Sequence, residues 1–344
     1  MLERLTPEQE LLLPIIRDKW IKIGLSTEPC NFEKSKEAVC LAYRSVGLKE
    51  PSRFYLCDDP ISADENSVEL GLSSQAYKWN QVNNQIYNQV NNQIYNQVWD
   101  QVNNQIYNQV WDQVWDQVNN QVWDQVRDQV WDQVWDQIYN QVRDQVYNQV
   151  LDQVYWLSFY DYFIEIGIIE GEGLRGLMEL SKCCGFYSLY DDVVIFQHRP
   201  ERISLRDGVL HNEKESAIRY RGGRLEIYCL NGVRVPEWLV LTKAEELDPR
   251  RILEIENVQI RAEFVRKVGI DRVCYKLGRS VDKVGDYELI LVDFGDKRDR
   301  PYLKMRNPSV EELWHVEGVH PSCVDVRSAL EWRNGSSEVP VVLT

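Results

Sequence analysis

The chain has no run of about eighteen consecutive apolar residues, the length a membrane-crossing helix requires. Its opening, MLERLTPEQE, lacks the basic stretch and apolar run of a secretory signal. These two absences predict a protein that is neither secreted nor membrane-spanning, with a cytoplasmic location. Eight cysteines occur without any CxxC pair or dense framework, which predicts reduced thiols rather than a disulfide scaffold. Cys183 and Cys184 are adjacent, but sequence neighbours seldom bridge, and ELSKCCGF reads as buried apolar chain. Basic residues are outnumbered, 39 Lys and Arg against 54 Asp and Glu. The resulting net charge of -15 disfavours direct binding to nucleic-acid phosphates or anionic lipid. A protein or peptide partner of basic character fits better.

Catalytic signatures are equally sparse. GxSxG, Walker, HExxH and EF-hand patterns are absent, and the spacing Gly171-x-Gly173-x-x-Gly176 lies between predicted helices, without the parallel strand that dinucleotide binding needs. No cofactor is implied. Only four histidines occur, at 198, 211, 315 and 320.

What the chain does have is a tetrapeptide, Gln-(Val/Ile)-x-(Asn/Asp), repeated about nineteen times between residues 79 and 156. In complete copies Trp at the third position is always followed by Asp, and Tyr by Asn. Selection at each copy would hardly enforce that linkage, so tandem duplication is the simpler origin. The tract holds nine Asp against Arg127 and Arg143, a balance of -7.

A four-residue spacing advances about 400° on an α-helix, so the Val row should drift roughly 40° per copy and give no steady apolar face. Seventy-six residues would also make a rod about 114 Å long. A β-solenoid places each Val or Ile inward on a short side and uses Asn or Asp at the turns. Four such sides per coil would give about five coils rising roughly 24 Å. The expected fold is therefore α+β with an inserted repeat, the repeat being a compact β-solenoid. A long α-helix or helical hairpins, and disorder, are the alternatives.

At 344 residues the chain has room for two or three domains. Residues 1–78 read as an α-rich unit, 79–156 as the repeat, and 157–344 as an α+β region with a β-meander at about 192–240. Thr6-Pro7-Glu8-Gln9 predicts a capped helix start, with Pro14 expected to kink that helix, and Asn31 caps a second. RFYLC reads as a strand before the turn-rich Asp58-Asp59-Pro60. After the tract, WLSFYDYFIEIGII and Leu174 to Cys184 read as helices, and VVIF, ERISL, AIRY, RLEIY and VRV as short strands. Ile252 to Val268 returns to helix, ELILVDF, PYLKM and LWHVEGV to strand, and Val324 to Trp332 to helix.

The LTPEQE start, RDKW, WLSFYDYF, His198-Arg199-Pro200, Leu210 to Glu213 and Gly232 to Pro236 together resemble a bacterial family classified only as a domain of unknown function. The resemblance spans nearly the whole chain and implies a shared frame carrying a tract of variable copy number, with no activity attached. The tract itself resembles a shortened pentapeptide-type repeat, and LHNE resembles the hairpin modules related to MORN repeats.

Three groups are candidate sites. His211 and Glu213, two apart on an extended segment, share a face and could pair as base and carboxylate. His315, His320 and Cys323 have metal-ligating side chains, but their spacing matches no strong zinc pattern. Trp99, Trp111, Trp115, Trp123, Arg127, Trp131, Trp135 and Arg143 at the variable repeat position would form an interaction surface on a solenoid, or else pack against the flanks. The leading expectation is a non-catalytic interaction or scaffold protein that uses the repeat for docking. An enzyme with its site in the C-terminal α+β region, and an acidic mimic of nucleic acid, are the alternatives.

Overall fold

Thr6 caps helix α1 (Pro7–Gly24) through a reciprocal capping box with Gln9, and Asn31 caps α2 (Phe32–Ser45). Pro14 sits inside α1 without ending it. Its face is solvent-exposed, so the carbonyl it leaves unbonded is open to water, while Leu13, Ile16 and Trp20 are buried on the other face. In this computed structural model the described residues are 4–72, 82, 85–88, 90–91, 94, 98, 100–118, 154–169, 172–306 and 314–335. They form a mixed α/β architecture of helices and small separate sheets, divided into two compact units, Met1–Arg234 and Val235–Thr344. Among the described residues no helix is long and apolar enough to cross a membrane.

In the first unit, β1 (Arg53–Cys57) is followed by α3 (Pro60–Glu69), for which Asp59 is the N-cap and Pro60 the first residue. The tract follows, and its described part corrects the expected β-solenoid. Residues Asp100–Ile106 (α4) and Asp112–Val114 (α5) are α-helical, with a π-helical turn at Tyr107–Trp111 between them and π geometry again at 115–118. A π turn closes i→i+5 and takes up more residues than the 3.6 of an α turn. Alternating the two brings the mean towards four residues per turn, so the drift that argued against a helix is cancelled. Val82, Ile86, Val90, Ile94, Val98, Val102, Ile106, Val110, Val114 and Val118 are all buried, with no more than 5 % of their surface exposed. The row therefore keeps to the core, together with residues of α1 and of α6 (Val154–Glu165).

The helices flanking the tract are tied directly to one another. Asp161 of α6 accepts from Lys19 Nζ at 2.6 Å and from Trp20 Nε1 at 2.8 Å, and Tyr162 Oη donates to the Gln9 carbonyl at 2.9 Å. Helix α7 (Glu172–Cys183) packs on α2 with Gly176 at the crossing, where a Cβ would fall 2.7 Å from the Ala42 nitrogen and 2.8 Å from the Ala38 oxygen. The last glycine of the Gly171-x-Gly173-x-x-Gly176 spacing is thus a close-packing residue. Strands β2 (Tyr187–Leu189) and β3 (Val193–Gln197) complete a three-stranded sheet in the order β1-β3-β2, with β1 and β3 parallel. Short hairpins from β4 (Arg202–Ile203) through β5 (Leu205–Arg206), β6 (Val209–Leu210), β7 (Ile218–Arg219), β8 (Glu226–Ile227) and β9 (Cys229–Leu230) to β10 (Val233–Arg234) follow, in sheets of two or three strands.

In the second unit a four-stranded antiparallel meander runs in the order β11 (Arg279–Val284), β12 (Tyr287–Asp293), β13 (Asp299–Arg306), β14 (Trp314–Gly318). Before it come α8 (Glu237–Leu241), a 3-10 turn at Ala244–Glu246 and another at Pro249–Glu254, α9 (Val258–Val268) and α10 (Ile270–Leu277). Asp325 starts α11 (Val326–Asn334) with a capping box to Ser328, and Gly335 ends it in the left-handed conformation. Strand alternation separates the two faces of the sheet. Tyr287, Leu289, Leu303 and Met305 pack with Val326, Ala329 and Leu330 of α11. The opposite face carries Glu288, Ile290, Lys304, Trp314 and Val316.

Candidate functional site

That opposite face forms the floor of a groove of about 680 Å³, contained entirely within the second unit. Strand register builds the floor: Glu288 stands opposite Lys304, and Lys304 opposite Val316. Lys304 Nζ lies 3.6 Å from Glu288 Oε2 and 4.6 Å from the centre of the Trp314 ring. One wall is α10, which contributes Asp271, Tyr275 and Lys276; the other is the segment from Glu245 to Pro249. Gly278 lets α10 run this close to the sheet, since a Cβ there would lie 2.3 Å from both the Cys274 carbonyl oxygen and Ile290 Cγ2.

Arg272 holds the second wall in place by donating to the carbonyls of Ala244, Glu245 and Leu247, the last at 3.1 Å. Its charge is thereby committed to backbone, whereas Glu245 and Asp271 have no ion pair among the described residues. Trp314 and Tyr275 keep 43 % and 88 % of their surface exposed, a large apolar area to leave in water beside a cavity. At the base, burial pushes the Cys274 thiol up to about 12, with Asp271 adding to the effect, so it remains protonated. The groove thus offers two aromatic side chains, carboxylates on both walls, and a floor on which the Glu288–Lys304 pair stands beside Ile290 and Val316. That set of groups holds cations and alkyl stems better than it does covalent chemistry.

The histidine candidates fall elsewhere. His211 and Glu213 do meet, Nε2 to Oε1 at 3.2 Å, while His211 Nδ1 accepts the Asn231 N–H at 2.9 Å. This fixes the Nε2–H tautomer, and Arg206 shares Glu213 at 3.1 Å. Both ring nitrogens are thus occupied, Nε2 by Glu213 and Nδ1 by the turn in which Asn231 takes a positive φ of 49°. His315 is 3.8 Å from Glu317, His320 Nδ1 is 2.7 Å from Ser322 Oγ, and Cys323 Sγ is 3.7 Å from the Ser328 carbonyl oxygen, so these three engage different partners. Among the described residues no group of three or more His, Cys, Asp or Glu side chains could hold a metal ion.

Trp111 and Trp115 are half-buried. Tyr107 stacks on Trp111 at 4.4 Å, Trp111 stacks on Trp115 at 5.5 Å, and Tyr155 of α6 meets Trp111 and Trp115 edge-on. These rings pack against the flank. Trp99, Trp123, Arg127, Trp131, Trp135 and Arg143 lie outside the described residues.

No residue of the groove was singled out by sequence. Its one local signal is the pair of large aromatics, Tyr275 and Trp314, beside charged neighbours. Comparisons with family models, curated proteins and solved structures return no match, so function rests on the residues themselves.

Proposed function

We propose that this is a non-catalytic interaction protein whose second unit grips an extended, basic segment of a partner protein in the groove between α10 and the β11–β14 sheet. The observation that carries this reading is that the exposed Trp314 and Tyr275 line one cavity together with the carboxylates of Glu245 and Asp271. A Lys or Arg stem can lie along an aromatic face while its charged head reaches a carboxylate, and each such contact is worth about 0.5–2 kcal/mol. The chain's net charge of -15 adds long-range attraction for a basic partner. Docking by the repeat tract is not part of this proposal, because Trp111 and Trp115 are used in internal packing.

The test is fluorescence anisotropy with labelled peptides rich in Arg and Lys, compared with length-matched peptides rich in Glu. Binding of the basic set, weakened by Glu245→Gln with Asp271→Asn, is the expected result. Equal binding of the two sets, or indifference to the double substitution, would overturn the proposal.

A further inference from the structure

Lys304 stands on β13, in the floor of the groove. Register puts Glu288 of β12 directly opposite it on one side and Val316 of β14 on the other. Trp314, two residues before Val316, is its diagonal neighbour on the same face. The ammonium is therefore within reach of both a ring and a carboxylate: Nζ lies 4.6 Å from the centre of the Trp314 ring and 3.6 Å from Glu288 Oε2. The side chains of Lys304 and Glu288 are 29 % and 22 % exposed, so water reaches the pair only in part. Yet the ammonium is not locked. A separation of 3.6 Å is too long for a direct hydrogen bond to the carboxylate, and Lys304 Nζ makes no other among the described residues. Two neighbouring cations of the same unit are tied down by contrast. Lys267 Nζ donates to the Leu239 and Val240 carbonyls at 2.7 and 2.6 Å, and Arg272 donates to three carbonyls. A lysine kept only to hold the sheet together would gain more from a closed, hydrogen-bonded ion pair than from this shared position.

We propose that Lys304 is an internal occupant of the groove: its ammonium holds the seat by Trp314 and Glu288 into which a lysine or arginine of the partner docks, and it leaves before that side chain enters. The inference rests on the docking function proposed above and assigns the regulation of that same site. Lys304 already makes with the ring and the carboxylate the two contacts that a partner's cation would make. A second cation cannot share the seat, because like charges a few ångströms apart repel, and more strongly where water is partly excluded. The four-carbon stem of Lys304 lets its charge swing away without any movement of β13. Because the competitor is part of the chain, no dilution removes it. Lys304 thus sets a threshold for binding. A lone basic residue gains too little to displace it, whereas a segment with several, also engaging the carboxylates of Glu245 and Asp271 on the walls, gains enough.

Anisotropy titration of the labelled Arg- and Lys-rich peptide with the full chain and its variants tests this. Lys304→Met and Lys304→Gln, which remove the competing charge, should each tighten binding about tenfold. Because the gain should appear in both, a folding defect in one does not decide the matter. Lys304→Arg keeps a cation in the seat and should stay within about twofold of wild type. Lys276→Met removes the same charge from the α10 wall of the groove and should change affinity less than about threefold, the share due to net charge alone. Adding Glu288→Gln to Lys304→Met should abolish the gain, because the carboxylate that receives the partner's cation is then gone. Neutral variants that bind no more tightly than a wild type that does bind, or a gain from Lys276→Met equal to that from Lys304→Met, would overturn the role of Lys304 and leave the docking function standing. No binding of the basic peptide by wild type or by either neutral variant would overturn both.

Discussion

Replacing Ile106 by alanine removes a side chain with none of its surface exposed, at the junction where α4 passes into the π turn. Buried Ile→Ala substitutions cost about 2–5 kcal/mol, from lost transfer energy and from the cavity left behind. A value near 3 kcal/mol is expected here, because Ile106 belongs to a continuous buried cluster whose neighbours on α1 and α6 are fixed by other contacts. Gln109, three positions on, is exposed, and Gln109→Ala should change stability by less than about 0.5 kcal/mol. Urea unfolding followed by tryptophan fluorescence distinguishes the two. With a slope of about 3 kcal/mol per molar, Ile106→Ala should lower the midpoint by about 1 M, while Gln109→Ala should leave it nearly unchanged. Equal effects at the two positions would refute the idea that alternating α and π turns keep the Val and Ile row on one buried face.

Three further outcomes are expected. Gly278→Ala should destabilise the second unit by about 1–3 kcal/mol in thermal unfolding, because the Cys274 carbonyl cannot move away from the added methyl without shifting α10 off the sheet. Trp314→Ala, which removes an exposed ring from the groove, should weaken binding of a basic peptide about five- to tenfold in anisotropy titrations, and the wild-type affinity should itself fall as salt rises. Asp64 is 3 % exposed, its Oδ2 has no hydrogen-bond partner, and burial, helped by Glu65, raises its pKa from 3.8 to about 7. Its neutral form suits the folded chain, so this contribution is full below pH 3.8 and is lost as the pH rises through about 7. Asp64→Asn should therefore gain stability relative to wild type between pH 4 and pH 8, as measured by urea midpoints; a difference independent of pH would refute the assignment.

Elements whose ends carry their own chemistry are legible in the sequence. Thr6-Pro7 with Gln9, Asn31 before α2, and Gly335 after α11 mark helix ends that the structure reproduces, and the alternating ELILVDF and PYLKM segments lie within β12 and β13. Asp58-Asp59-Pro60 reads as a turn because its residues favour turns, yet a cap followed by proline is also how α3 begins. The second helix at Ile270–Leu277 is hidden by its closeness to α9, from which only Gly269, at a φ of 93°, separates it. The tract misleads more deeply. A period of four has no place in a uniform α-helix, and the local widening to π turns that accommodates it is a property of packing against α1 and α6. The groove, likewise, depends on which sheet face α11 covers and which it leaves open.

Hydrogen–deuterium exchange of the full chain, with and without a saturating Arg-rich peptide, addresses the proposed binding function most directly. Slowed exchange should be confined to residues 245–249, 271–278 and 314–316, the two walls and the outer strand of the groove. Protection that falls on the described repeat residues 100–118, or on the His211 turn, with those three segments unchanged, would contradict the account.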